Sequence, residues 1–322
     1  MVPKVSVVVP VYNAAAFLPR TLDALKAQTL SESEFILIND GSTDDSEQIC
    51  RSYAEKDSRF TVLCQENKGV CAARNAGIDA ARGDYVGFCD SDDIPDNDLY
   101  QTLYELITRE QAQLAMTDVR IKLPDGSIKH TASGVDHCWN KPEDFAKDFF
   151  SQYLNIGVYT KLFRRDLLSG LRFDESRKIN EDLFFFFCAG ISSAKTVHRS
   201  IEKYTYIKNS TSTTLGNFSE KFFDSRYFAN ELVRITKERF PQLTDSAEGK
   251  RLSILLRLLN RMIILGGDRK FKAEYKEISA DITSHTSAFC KKYLRKNDYF
   301  RYSLLKRCPP LFKLVTKTLD KY

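Results

Sequence analysis

Several features that mark other protein classes are missing from this sequence. No apolar run approaches the ~20 residues that a membrane-spanning helix needs, because the best candidate, Leu252 to Leu265, is interrupted by polar residues. The first residues, Met1 to Val9, lack the long apolar segment and cleavage site of a signal peptide. The eight cysteines form no CxxC pair or other zinc spacing. We therefore expect a reduced, cytoplasmic compartment.

Net charge is also low, at +5 for 322 residues, but it is unevenly distributed. Residues 291–322, called the basic tail below, contain ten Lys or Arg and two acids, a net charge of +8. Aromatic and aliphatic residues are interleaved with these charges. Such a mixture suits a peripheral helix on an anionic membrane, and packing on its own domain or on a second subunit explains it equally well. No recognition motif for nucleic acid accompanies the charge, so we expect no nucleic-acid partner.

The first part of the chain alternates short apolar strands with helices. This order is typical of right-handed βαβ crossovers and a mainly parallel sheet, which predicts an α/β fold. The predicted strands are Val5–Val9, Phe35–Asn39, Phe60–Leu63 and Tyr85–Cys89. The predicted helices lie near Ala16–Gln28, Asp45–Lys56 and Val70–Ala81. Ligands of open parallel sheets bind beyond the carboxyl ends of the strands.

A polar cluster follows each of these four strands, and each cluster has a physical use in a nucleotide site. Tyr12 offers a flat ring for stacking on a base. Asp40 can accept hydrogen bonds from a base, and Gly41 beside it permits close approach of the backbone. Arg74, early in the third helix, can reach a base or a phosphate. The alternatives are ordinary turn and helix-capping residues and a solvated arginine.

The fourth cluster, Asp90-Ser91-Asp92-Asp93, contains three carboxylates within four residues. Such carboxylates repel one another unless a cation lies among them. Mg²⁺ or Mn²⁺ held against a diphosphate would resolve the repulsion, since these ions favour carboxylate, water and phosphate oxygens. The alternative is an acidic loop that caps the helix beginning near residues 96–98.

In this order, the motifs resemble the family 2 glycosyltransferases of the GT-A fold. The resemblance is strong over roughly the first 120 residues and is not recognisable beyond about Phe222. Asn39 departs from the family pattern, which often has Asp there. The matching segments are Val7–Asn13, Asn39–Ser46, Gly69, Ala73–Gly77 and Gly83–Asp93, with a weaker likeness through 161–165, 180–185 and 204–206.

The resemblance implies inverting, metal-dependent transfer of a hexosyl or N-acetylhexosaminyl group from a nucleoside diphosphate sugar, with UDP preferred, to an acceptor hydroxyl. By analogy the nucleotide would be held by Pro10, Tyr12, Asp40, Arg74 and Asp90. Asp92, together with Asp90, would ligate Mn²⁺ or Mg²⁺.

The catalytic base is expected in Asn180-Glu181-Asp182, which precedes the apolar residues 183–189. Asp182 resembles the family's base and Glu181 its partner, although the two roles could be exchanged. Without the resemblance, capping of a buried helix would be the simpler interpretation. His198 is interpreted as a structural strand residue rather than a metal ligand. Lys161 is either a phosphate or acceptor contact or part of a surface charge pair.

These inferences predict a GT-A catalytic domain over 1–218, with a nucleotide-binding half at about 1–120 and an acceptor half at about 121–218. A helical C-terminal region over 219–322 follows, with a possible role in acceptor recognition, homodimer formation or docking on the inner face of the cell membrane. The relatives it most resembles build capsule, exopolysaccharide or lipopolysaccharide on lipid-linked acceptors. The alternatives are a non-catalytic GT-A-like scaffold and a sugar nucleotidyltransferase, whose Gly-rich basic loop is missing from residues 11–16.

Overall fold

A mixed β-sheet organises the first part of the protein in the computed structural model, which describes residues 2–151, 154–208 and 216–319. The strands are β1 (Val5–Val11), β2 (Ser33–Asp40), β3 (Phe60–Gln65), β4 (Tyr85–Phe88), β5 (Ile94–Pro95), β6 (Leu114–Lys122), β7 (Ile128–His130), β8 (His137–Trp139), β9 (Lys161–Arg164) and β10 (Thr196–Ile207). Their order is β3-β2-β1-β4-β9-β6-β10-β5, with β7 paired to β6 and β8 to β10.

The parallel half of this sheet is the one that the sequence predicts. Strand β1 pairs in parallel with β2 and β4, and β2 pairs in parallel with β3. Strand β1 is buried on both faces, as its run of valines requires: Val5, Val7 and Val9 join one hydrophobic cluster, and Val8 faces the other way. Strand β9 then runs antiparallel to both β4 and β6, which makes the whole sheet mixed.

Helices cover this sheet and connect its strands. Those of the first part are α1 (Leu18–Lys26), α2 (Ser46–Lys56), α3 (Val70–Ala80), α4 (Leu99–Arg109) and α6 (Glu181–Ser192). Helix α5 (Pro142–Ser151) begins in the first of the two compact units given below and ends in the second. Helix α3 lies close to the sheet because Gly77 has no side chain: a Cβ there would lie 2.1 Å from Val8 Cγ1.

The chain divides into two compact units, Met1–Phe145 with Leu154–Ser212, and Ala146–Tyr153 with Thr213–Tyr322. Helices of the second unit are α7 (Asp224–Arg239), α8 (Thr244–Ile264), α9 (Gly267–Lys270), α10 (Lys272–Ser284), α11 (Ser287–Tyr293), α12 (Lys296–Arg307) and α13 (Pro309–Leu319). Helix α8 is the central one, and most of its apolar residues are buried. It stops before Gly266, whose φ of 73° ends the helix.

The basic tail forms helices that pack within the second unit. The Tyr302 hydroxyl donates to the His285 carbonyl at 2.8 Å, and Lys313 Nζ donates to Asp268 at 2.7 Å. Leu311 and Leu314 remain exposed, and residues 320–322 of the tail lie outside the described residues. Among the helices of the described ranges, none combines the length and the apolar character needed to cross a membrane.

Replacing Gly77 by Ala tests the close approach of α3 to β1. The added methyl group would overlap Val8, so we expect Gly77→Ala to lower the free energy of unfolding by about 1–3 kcal/mol, measured by urea denaturation. In a Val8→Ala background the overlap is relieved, and the same substitution should cost clearly less. A loss below about 0.5 kcal/mol in the wild-type background would contradict this packing.

Candidate active site

The carboxyl ends of β1, β2 and β3 meet at one edge of the sheet. Val11 is in register with Asn39, and Asp40 with Gln65. The loop after β1 is tied to the loop after β2, because Asn13 Oδ1 accepts from the Thr43 amide at 2.8 Å. Next to this fixed point the side chain of Tyr12 is 51% exposed. An exposed ring on an anchored loop is a suitable surface for stacking a base.

Asp40 is buried and organises the loop that follows β3. Its carboxylate accepts from the Gln65 side chain at 2.7 Å, from the Lys68 amide at 2.9 Å and from the Gly69 amide at 2.8 Å. Gly41 has a φ of 67°, and a Cβ there would lie 2.8 Å from the amide nitrogen of Asn67. A carboxylate offers about four acceptor positions, and Asp40, which is 3% exposed, uses three of them to shape this loop.

Arg74 connects the end of β4 to the start of α6. Its guanidinium donates to Asp90 Oδ1 and to Glu181 Oε1, both at 3.1 Å, and its side chain is 7% exposed. Burial lowers the pKa of Arg74, but Asp90, Glu181 and Asp182 outweigh burial and raise that pKa above its ordinary value. Residues separated by more than one hundred positions in the chain are thereby brought into one charged cluster.

Two carboxyl groups of this cluster belong to the first turn of α6. Burial raises the pKa of Glu181 to about 7, and the neighbouring Asp182 raises it as well, whereas Arg74 opposes both. Burial also raises the pKa of Asp182, against the lowering effects of Arg74 and of the hydrogen bond from the Leu183 amide. A desolvated carboxylate with a raised pKa is a stronger proton acceptor than one in water.

The acidic run after β4 does not act as a single cluster. Asp93 points inward: its Oδ1 accepts from the Ile207 amide at 2.8 Å, and burial, followed by the charge of Asp90, raises its pKa well above the usual range. Helix α1 holds the backbone of the run, because Arg20 donates to the Asp92 carbonyl at 2.7 Å and Thr21 to the Asp93 carbonyl at 2.8 Å. Asp93 is therefore a structural residue of this loop.

Asp90 and Asp92 remain as the predicted metal ligands. Within the described ranges, no group of three or more His, Cys, Asp or Glu side chains is placed to hold an ion by protein ligands alone. Two carboxylates completed by water and diphosphate oxygens are nevertheless a donor set that suits Mg²⁺. The residues present fit an ion that binds together with the substrate.

Both interpretations of Lys161 were wrong, since its side chain is completely buried. Its ammonium group donates to the carbonyls of Asn155 and Gly157 at 2.8 and 2.6 Å. Burial lowers its pKa to about 7, although Asp182 and Asp118 oppose the shift. Its position between Thr160 and the apolar pair at 162–163 is a signal of burial that could have been read from the sequence.

His198 lies in β10 and is buried beside Asp118. The distance from its Nε2 to Asp118 Oδ1 is 3.0 Å. The second carboxylate oxygen of Asp118 accepts from the Ser200 hydroxyl at 2.8 Å. These contacts fit the structural interpretation of His198.

Glu181→Gln is expected to stabilise the fold above the pKa of Glu181. A carboxyl group whose pKa is about 7 in the folded protein and about 4.5 unfolded destabilises the fold when ionised. We expect the variant to gain roughly 1–3 kcal/mol near pH 8 and the gain to vanish as the pH falls toward 4.5. Calorimetric unfolding across this range measures it. Glu55→Gln, at an exposed position, is the matched control, and a loss of stability near pH 8 would contradict the desolvated state of Glu181.

Comparison with known proteins shows which family the chain belongs to. The chain is 34% identical over 212 residues to the glycosyltransferase GlyA of Streptococcus pneumoniae, covering 63% of this chain and 30% of GlyA. It is 33% identical over 223 residues to the uncharacterized glycosyltransferase EpsJ of Bacillus subtilis, covering 66% of this chain and 64% of EpsJ. The chain thus spans less than two thirds of the length of these relatives.

The fold is shared with a solved structure, S. aureus TarS 1–349 in complex with UDP-GlcNAc. The TM-score is 0.67 at 20% identity, over 98% of this chain and 90% of that one. This confirms the predicted GT-A fold with a helical C-terminal region. Residues 6–171 match the model of the family described as Glycosyl transferase family 2. The chain therefore belongs to glycosyl transferase family 2.

Proposed function

We propose that this protein is an inverting, metal-dependent glycosyltransferase that moves a sugar from a UDP-sugar to a hydroxyl of a glycan acceptor. The observation that carries the proposal is the Arg74 bridge, which joins Asp90 at the end of β4 to Glu181 at the start of α6. It unites the nucleotide side of the site with the candidate base. The acceptor is proposed to be a lipid-linked or polymeric glycan of the bacterial surface, on the basis of the motif resemblance.

The donor would lie along the sheet edge. Tyr12 is exposed for stacking, and Asp40, which shapes the loop after β3, would contact the base. Asp90 and Asp92 would hold a Mg²⁺ or Mn²⁺ ion, which supplies positive charge to the leaving diphosphate when bound. UDP as the nucleotide is supported by TarS, a protein of the same fold that was solved with UDP-GlcNAc and with UDP.

Asp182 is proposed as the general base that accepts the proton of the attacking acceptor hydroxyl. Its carboxylate is fixed by the Leu183 amide at 2.7 Å and is held in a buried environment that raises its pKa. The hydroxyl oxygen forms the new bond to the anomeric carbon as the bond to the nucleoside diphosphate breaks, which inverts the configuration. Glu181 and Arg74 keep Asp182 oriented through the charged cluster.

Binding of UDP should depend on a divalent ion and on Asp92. We expect calorimetric titration of UDP to give saturable heat with Mn²⁺ or Mg²⁺, with affinity reduced at least about tenfold by EDTA or by Asp92→Ala. Asp84→Ala is the control, because Asp84 is exposed at the opposite end of β4. Tighter binding of GDP or dTDP would indicate a GDP-sugar or a dTDP-sugar as the donor. No binding of any of the three would favour a non-catalytic scaffold, and binding that is equal in EDTA would contradict metal dependence.

Asp182→Asn should slow sugar transfer without weakening the binding of UDP. With a panel of UDP-sugars, we expect UDP release to fall by about 10²–10⁴-fold while affinity for UDP stays within about twofold. In the wild type, release should decline as the pH falls, because burial raises the pKa of Asp182 and protonation removes the base. A variant that keeps more than about a tenth of wild-type release would exclude Asp182 as the base.

A further inference from the structure

A polar stripe runs along one face of α8 in the second unit. Ser246, Lys250, Ser253 and Arg257 follow one another at intervals of four, three and four residues, which places them on the same side of a helix. A pocket of about 210 Å³ opens over this stripe. Its remaining walls are Phe150 and Ser151 of α5, residues 292 and 293 at the end of α11, and residues 294 and 295 that follow α11.

The pocket wall opposite α8 is held in place by close packing. A Cβ at Gly249 would lie 2.6 Å from Tyr293 Cβ, so the glycine permits the end of α11 to approach α8. The Tyr293 hydroxyl donates to Asp245 Oδ2 at 3.2 Å. These contacts bring Lys292 and Arg295 to the same pocket as Lys250.

The pocket is strongly cationic. Four basic side chains line it: Lys250, Arg257, Lys292 and Arg295. Within the described part of the chain, neither Lys250 nor Arg257 forms an ion pair with a carboxylate. Instead, Lys250 Nζ donates to the Phe149 carbonyl at 3.2 Å. The same nitrogen lies 5.0 Å from the centroid of the Phe149 ring.

The environment of Lys250 makes its charge costly in the absence of an anion. Burial lowers its pKa to about 7, the positive charges of Arg257 and Arg295 lower it further, and Asp298 opposes them. A cation that is desolvated and surrounded by other cations destabilises the protein unless an anion neutralises it. Hydroxyl groups of Ser151, Ser246 and Ser253 add hydrogen-bond donors to the same pocket.

We propose that this pocket binds a phosphate ester. Ammonium, guanidinium and hydroxyl donors that converge from several directions match the oxygens of a phosphate group. The volume equals that of about seven waters, which suits a phosphate with a short polyol rather than a whole nucleotide sugar. Such an ester occurs in a phosphorylated glycan or polyol chain and in the headgroup of an anionic lipid. The inference does not depend on the proposed catalytic roles.

The first test titrates glycerophosphoglycerol, a phosphodiester, into the full-length protein in the presence of EDTA. We compare Lys250→Gln/Arg257→Gln with Lys291→Gln/Lys296→Gln, a pair that removes the same charge from exposed residues outside the pocket. The pocket pair should weaken binding at least about tenfold and the control pair by less than about twofold. Equal effects of the two pairs would show a diffuse electrostatic attraction and overturn the site, as would an absence of binding by the wild type.

Protonation of Lys250 should make the affinity of the pocket for a phosphodiester depend on pH. A phosphodiester does not titrate near neutrality, so binding should strengthen by about tenfold from pH 8 to pH 6 as Lys250 gains its proton. The pH dependence should disappear in Lys250→Gln. Because the variant removes a costly buried charge, its thermal midpoint should equal or exceed that of the wild type. Binding that is independent of pH in the wild type would contradict the role of Lys250.

A second arm identifies the source of the phosphate ester. Flotation with vesicles of phosphatidylglycerol and of phosphatidylcholine is measured for the wild type and both pairs. Flotation with phosphatidylglycerol that the pocket pair loses and the control pair keeps assigns the site to a lipid headgroup. Flotation that is unchanged by the pocket pair, alongside loss of glycerophosphoglycerol binding, assigns it to a soluble or polymeric phosphodiester. A pocket pair that behaves like the control pair in both assays overturns the proposal.

Discussion

The charged contact on which the candidate active site depends is the buried Arg74 guanidinium between Asp90 and Glu181. Three carboxyl groups, those of Asp90, Glu181 and Asp182, act on this one cation. Without it, burial would favour the neutral forms of Glu181 and Asp182, and the candidate base would lose its ability to accept a proton. Removing the arginine would leave the carboxyl groups buried and without a compensating charge, which costs more than the contact itself contributes.

The position of Arg74 depends in turn on how α3 packs. Gly77 lies three residues further along the helix, so the two residues share a face. The missing side chain at 77 lets α3 approach Val8 of β1, whose in-register neighbour in β4 is Phe88. Asp90 follows β4 directly. A contact between apolar atoms at the centre of the sheet thus sets the distance between a helix and the acidic loop at its edge, which links the stability of the fold to the geometry of the site.

Much of this arrangement could be predicted because it depends on short-range patterns in the sequence. The valine run of β1 and the apolar strand before Asp90 identify the parallel sheet, and the strand ends identify the edge at which the polar clusters gather. Contacts between distant residues could not be predicted in this way. The pairing of Arg74 with Glu181 and the three hydrogen bonds of Asp40 depend on how separate elements meet, and so does the complete burial of Lys161. The polar stripe on α8 was visible in the spacing, but only the approach of α11 shows that it lines a pocket.

Arg74 in the first unit and the partly buried Lys250 in the second have opposite electrostatic environments. In the first unit, Arg74 is matched by carboxylates of the protein itself, so its charge supports structure and positions other groups. In the second unit, Lys250 contacts a carbonyl and an aromatic ring. Further cations disfavour its charge, and Asp298 favours it. A protein that only needed a stable helical unit would be better served by an apolar residue at this position. An ionisable side chain at residue 250 is explained if a ligand supplies the missing negative charge. The hydroxyl groups that line the same pocket are donors that a phosphate oxygen can accept from.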